Sequence, residues 1–153
     1  MASPATLDGR AVAALDGLPV DWRHKAMPPR TWGQRAADVV ALGLRLSDLP
    51  TPLLTLSRDA MAHNEQVMTS WRRAHALDLA PHGKTTMAPQ LWRTQLESGA
   101  WAITLANTAQ LAVARAFGLS RAIVANAVIS PLALRWIAEQ LAADPDFELF
   151  VWG

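Results

Sequence analysis

Trp101-Ala-Ile-Thr-Leu105, then Asn107-Thr-Ala-Gln110, then Gly118, then Arg121-Ala-Ile-Val-Ala125: the fold turns on this stretch. The first and last runs are short and apolar, and each predicts a strand. Between them the spacing predicts a helix. It opens on Asn107, with Gln110 three residues on as in a capping box, and it closes at Gly118. Two strands joined through a helix pair in parallel, because a tight hairpin turn is unavailable to them.

The alternation continues in both directions. Downstream, Ser130-Pro131 opens a helix with Leu134, Ile137, Ala138 and Leu141 on one face, and Phe147–Trp152 predicts another strand. Upstream, a helix from about Ala88 to Ser98 ends at Gly99, and Leu77–Ala80 predicts a strand before it. Earlier still, Ser57 stands as the N-cap of a helix from Arg58 to about Ala76, whose Met61, Asn64, Met68 and Trp71 predict a buried face. The run Pro52–Leu56 predicts the first strand. Doubly wound sheets and (β/α)₈ barrels both fit this order. An apolar run at the end of the chain with no helix after it reads as a domain cut short.

Residues 1–50 differ. Asp8, Gly9, Asp16, Gly17, Pro19, Pro28, Pro29 and Pro50 punctuate them, and one helix is expected from about Trp32 to Leu46. The expected organisation is therefore an N-terminal extension, 1–50, followed by an α/β domain, 51–153.

Composition narrows the function classes. With 153 residues and 51% hydrophobic content, the chain is long and apolar enough to bury a core. Fourteen Lys+Arg against 13 Asp+Glu leave a net charge of +1, without the basic footprint of a nucleic-acid binder or a polybasic membrane patch. Cysteine is absent, which excludes disulfides, thiolate metal sites and a thiol nucleophile within these residues and makes a reducing cytoplasm the expected setting. Tyrosine is absent as well. No signal peptide is legible before Pro19, and the most apolar window, Ala36–Leu46, is interrupted by Asp38 and Arg45 and too short to span a bilayer.

The segment richest in chemistry is Pro81-His82-Gly83-Lys84-Thr85, set where a strand ends and a helix is about to begin. Three readings compete for Lys84. Gly83-Lys84-Thr85 looks like the end of a phosphate-binding Walker A loop, but that motif needs a glycine where Asp78 stands. A Schiff-base lysine is the second reading: an amine attacks an aldehyde in its unprotonated form, and a lysine at a strand end points into the mouth of a barrel. In the third, Lys84 is a solvated loop lysine and His82 a packing or capping residue.

Beyond this local chemistry, Thr51-Pro52-Leu-Leu-Thr-Leu, Asn64 and Pro81-His82-Gly83-Lys84-Thr85 resemble the start of the D-threonine aldolase/D-serine dehydratase-like family. Members are fold-type III pyridoxal phosphate enzymes with an alanine-racemase-like barrel. The likeness continues through Gln95-Leu-Glu-Ser-Gly99-Ala-Trp-Ala-Ile-Thr104, Ala125-Asn126 and Phe147–Trp152. Val20-Asp-Trp-Arg-His-Lys25 is closer to the subgroup of amino acid deaminases. The resemblance covers about Pro19 to Trp152.

It implies a partial TIM-like (β/α)₈ barrel with about half the strands, preceded by a helical extension. It also implies that Lys84 carries the pyridoxal phosphate and moves the α-proton. His82 and Thr85 then support that lysine, and Thr104 and Asn126 line the same mouth. The family reaction removes a β-hydroxyl from a D-amino acid to give an enamine, hence a 2-oxo acid and ammonia. The aldolase alternative cleaves Cα–Cβ to glycine and an aldehyde. Both take a small-molecule amino acid substrate, and the family implies a homodimer for a full-length parent.

The family's divalent metal sits in a C-terminal β-domain, and here His24, His63, His75 and His82 show no paired metal spacing. Turnover by these residues alone is not expected, so a non-catalytic half-barrel module stays open beside the two lyase readings. Elsewhere Trp71, Trp92, Trp136, Met61 and Met68 are expected in the core, and Arg72, Arg73 and His75 at a solvated helix end.

Overall fold

All three strands expected from Trp101 onward form. A computed structural model describes residues 4–153, and in it β1 (Ile103–Leu105), β2 (Arg121–Val124) and β3 (Glu148–Phe150) make one parallel sheet in the order β1-β2-β3. The described helices are α1 (Gly9–Ala14), α2 (Ala36–Ala41), α3 (Arg58–Ala74), α4 (Pro89–Glu97), α5 (Thr108–Ala116) and α6 (Pro131–Ala143). Residues 4–12 with 62–153 form one compact unit, and 13–61 form another.

In the larger unit, α5 joins β1 to β2 and α6 joins β2 to β3. Register follows the two-residue period of a strand. Ile103 lies opposite Ala122, which lies opposite Leu149, and Leu105 lies opposite Val124. These positions belong to the core, with Leu111 and Ala114 of α5, Ile137 of α6, and Trp92 and Leu96 of α4. Ile103, Leu105, Leu111 and Leu119 are fully buried, and burial of each such side chain contributes about 1.5–3 kcal/mol. The alternate row of Arg121, Ile123, Glu148 and Phe150 is only partly covered or exposed. There Arg121 lies 4.9 Å over the Trp101 ring and pairs with Glu148, while the Trp101 and Phe150 rings meet at a tilt of 59° with centroids 4.9 Å apart.

The helix boundaries follow the expected caps. Asn107 Oδ1 accepts the Gln110 N–H at 2.9 Å, and Gly99 and Gly118 take positive φ (+97° and +68°) just past α4 and α5. Ser57 Oγ accepts the Ala60 N–H at 3.3 Å at the start of α3.

Several expectations are corrected. Leu77–Ala80 forms no regular strand; the pairing lies later, at residues 79–83, along the edge of β1 that β2 leaves free. The Trp101 N–H donates to Leu79 O (2.7 Å), Thr104 N–H to Pro81 O (2.9 Å) and Gly83 N–H to Thr104 O (2.9 Å), with His82 bridged in parallel to Thr104. Pro81 has no N–H, so the row of donors is interrupted and the ladder stays irregular.

Pro52–Leu56 forms no strand; Leu54 is 91% and Leu56 63% exposed. A short apolar run becomes a strand only beside a neighbour to pair with, and these residues take part in no ladder. The expected buried face of α3 is also uncovered: Met61, Asn64, Met68 and Trp71 are exposed. Arg72, expected in solvent, is buried instead. Its guanidinium fills the space beside Gly99, where a Cβ would stand 2.6 Å from Nη2, and Nη1 lies 4.0 Å from Asp78. Trp92 is fully buried and Trp136 packs against the core.

In the smaller unit the expected helix from Trp32 to Leu46 is broken. Only α2 is α-helical there, between single 3₁₀ turns at Pro29–Thr31 and Leu46–Asp48. Gly33 and Gly43 take positive φ (+84° and +60°), which an α-helix cannot continue through. Val20 pairs its N–H with Gln34 O and its carbonyl with Gly33 N–H, both at 2.8 Å, and Val20, Thr31 and Val39 are buried.

The architecture is mixed α/β. Residues 79–83 and the three strands run side by side in parallel, which is compatible with part of an α/β barrel; the described residues do not close one. Among them no helix is long and apolar enough to cross a membrane.

Candidate active site at the strand ends

Lys84 stands one residue beyond the segment that pairs with β1, and the backbone that presents it is held from several sides. Gly83 is buried under Trp92 and Ile103. A Cβ at that position would stand 2.4 Å from Trp92 Nε1 and 2.6 Å from Ile103 Cγ2, so only glycine fits. Trp92 Nε1–H donates to Gly83 O at 3.2 Å, and Met87 N–H donates to the same oxygen at 3.0 Å, closing a turn over 84–86. Met87 leaves that turn at a positive φ of +45°. Gly83 is turned into the core, while its neighbours His82 and Lys84 are turned out of it. Both side chains are exposed, as is Thr85.

Hydrogen bonds tie this turn to the next two strand ends. Gln110 Nε2 donates to Lys84 O at 3.1 Å, while Gln110 Oε1 accepts the Ala106 N–H at 2.8 Å. Asn126 Nδ2 in turn donates to Ala106 O at 2.7 Å. One rim therefore runs from Lys84 through Gln110 and Ala106 to Asn126, across the C-terminal ends of three neighbouring parallel segments. Thr104 is buried, and its Oγ1–H donates to Ala80 O at 2.8 Å, which fastens the Lys84 segment to β1.

Of the residues singled out in the sequence, Lys84 and Asn126 share this rim. Thr104 lies one layer below it, and His82 and Thr85 flank Lys84 on the exposed side. Gln110 was legible only as a helix cap and Trp92 only as a core residue. Their bonds to Lys84 O and Gly83 O join residues 26 and 9 positions apart, and no local pattern announces them.

Beside the rim a cleft of about 300 Å³ lies between the starts of α5 and α6, lined by Ala106, Asn107, Val124, Asn126, Val128 and Ser130 among others. A second cleft, of about 370 Å³, lies between α3 and the end of α4 and touches none of these residues.

Electrostatic displacement is concentrated elsewhere. Hydrogen bonding to the Arg115 guanidinium holds the Asp144 carboxyl below its ordinary value, and the Arg121 guanidinium does the same for Glu148. His24 Nδ1 lies 3.2 Å from Asp21 Oδ1, and His75 stacks on Trp71 with centroids 4.7 Å apart. Among the described residues no three His, Asp or Glu side chains gather where they would hold a metal ion.

No protein-family model and no curated protein matches this chain. Among solved structures it is similar to D-threonine aldolase from Filomicrobium marinum, with a TM-score of 0.60 and 27% sequence identity. The match covers 63% of this chain and 26% of the other, so these residues correspond to about a quarter of that protein's length.

Proposed function

We propose that this chain carries the lysine-bearing part of a pyridoxal phosphate-dependent lyase acting on a β-hydroxy D-amino acid, within a partial TIM-like (β/α)₈ barrel of fold type III. The observation that carries it is the placement of Lys84. It lies at the C-terminal end of a parallel segment, exposed, beyond a glycine that the core holds in place. That is the end at which α/β folds build their sites. The likeness to a D-threonine aldolase and the Pro81-His82-Gly83-Lys84-Thr85 motif point the same way.

The residues present fit the cofactor at its aldehyde end. Lys84 Nζ takes part in no ion pair among the described residues, so the amine is available to an aldehyde. When bound, pyridoxal phosphate supplies an electron sink for negative charge at the substrate Cα. Lys84 Nζ would hold the cofactor at its aldehyde and would be the base for the proton at the substrate Cα. His82 and Thr85, exposed on either side of Lys84 in the chain, would orient the groups that amine meets. Asn126 lines the mouth, and Thr104 anchors the segment through Ala80. Loss of the β-hydroxyl as water, followed by hydrolysis, leaves a 2-oxo acid and ammonia. The Val20–Lys25 segment, similar to amino acid deaminases, favours this outcome. The alternative is cleavage of Cα–Cβ to glycine and an aldehyde, and the structural match supports a lyase-like fold without separating the two outcomes. A cytoplasmic setting belongs to the same proposal.

The chain has only two lysines, Lys25 and Lys84, and both are exposed, so each controls for the other. Incubation with pyridoxal phosphate, borohydride reduction and peptide mapping should place the label on Lys84 and lose it in Lys84→Ala. Equal labelling of the two lysines would leave the non-catalytic module as the better account. Product analysis of a longer protein containing these residues separates 2-oxo acid from glycine.

A further inference from the structure

We infer that Gln110 is a positioning residue for Lys84: its side-chain amide clamps the Lys84 carbonyl and so sets how the lysine is presented at the strand ends. This rests on the reading of Lys84 as the cofactor lysine.

A terminal amide has one accepting and one donating end, and here the two have different partners. Oε1 accepts the Ala106 N–H at 2.8 Å and Nε2 donates to Lys84 O at 3.1 Å. The first bond departs from an ordinary capping box. There the side chain at this position would return to the N–H of the cap residue itself, Asn107; here it reaches one residue further back. By doing so it leaves its donor end directed at the loop that carries Lys84.

The remaining bonds of that loop stop short of Lys84. Thr104 holds Ala80, while Trp92 and the Met87 N–H hold Gly83. Gln110 supplies the side-chain bond to the backbone of Lys84 itself. Through Ala106 it also shares the rim with Asn126, so movement of either neighbouring loop reaches the lysine through this amide.

Glutamate at the same position separates the two ends. Gln110→Glu keeps an oxygen for the Ala106 N–H and adds an acid in the first turn of α5, which helix electrostatics tolerate well. It removes the donor to Lys84 O. The expected result is a melting temperature close to that of the parent chain, with a rise of about fivefold in the pyridoxal phosphate concentration that half-saturates labelling of Lys84, as loss of one exposed hydrogen bond predicts. Labelling of Lys25 should not change. Gln110→Leu, which removes both ends, should lower stability as well as labelling.

A second measurement needs no cofactor. Hydrogen exchange at the Met87 amide, which closes the turn over 84–86, should accelerate in Gln110→Glu while exchange at the core amides of β1 and β2 does not. If Lys84 is labelled selectively and Gln110→Glu changes neither half-saturation nor Met87 exchange, the clamp is wrong and the assignment of Lys84 survives. If Lys84 is never labelled selectively, the functional reading fails; unchanged Met87 exchange would then overturn the clamp independently, and faster exchange would support it.

Discussion

Two strand-then-helix stretches of this chain contrast sharply. In one, β1 and α5 bury Ile103, Leu105 and Leu111 completely, and β2 continues the pattern with Ala122 and Val124. In the other, Pro52–Leu56 and α3 leave Leu54, Leu56, Met68 and Trp71 in solvent. Both carry apolar runs and a helix with a proper start, so composition does not separate them. Pairing does. β1 has β2 on one edge and residues 79–83 on the other, whereas residues 52–56 have no ladder at all. Apolar patterning marks which face a segment offers, and a neighbour is still needed before that face is buried.

The largest test of this contrast is a pair of truncations. Leu111→Ala should destabilise the chain by about 3 kcal/mol, because it opens a cavity in a closely packed core. Leu54→Ala should fall within about 0.5 kcal/mol of the parent. Denaturant unfolding of both variants makes the comparison, and equal costs would erase it.

Next in size is Gly83→Ala. The added methyl meets Trp92 Nε1 and Ile103 Cγ2 well inside contact distance, so the variant should lose about 2 kcal/mol of stability. Labelling of Lys84 should fall with it. A fully stable variant would show that the Lys84 segment does not pack as described.

The smallest effect concerns acid. Asp144 and Glu148 titrate below their ordinary values when folded, because Arg115 and Arg121 favour the carboxylates. A carboxyl lowered in the folded state stabilises above its unfolded value, and that contribution is lost as pH falls through the folded one. The melting temperature should therefore decline through the acid side of the carboxylate range, and Glu148→Gln should flatten that decline. Glu148 is exposed and Asp144 partly so, and solvent screening keeps the change small.

The same contrast explains how far the residues could be read without coordinates. β1, β2 and β3, the Asn107 cap and the glycines ending α4 and α5 depend on local rules: period, cap chemistry and tolerance of positive φ. So does the position of Lys84 at a strand end. Other features depend on partners distant in sequence. Arg72 is buried because Gly99 leaves room for its guanidinium, and the pairing along β1 stays irregular because Pro81 has no N–H to give. Gln110 touches Lys84 because α5 begins beside that loop. The broken helix after Trp32 is an intermediate case: Gly33 and Gly43 are plain in the sequence, but only their positive φ in the fold makes them interruptions.

The most direct measurement of the account is a concentration series of pyridoxal phosphate with borohydride trapping, quantified separately at Lys84 and Lys25. Saturation at Lys84, with labelling of Lys25 rising in proportion to concentration, is the predicted result. Proportional labelling of both lysines would show that Lys84 is an ordinary solvent-exposed amine, and would contradict the account.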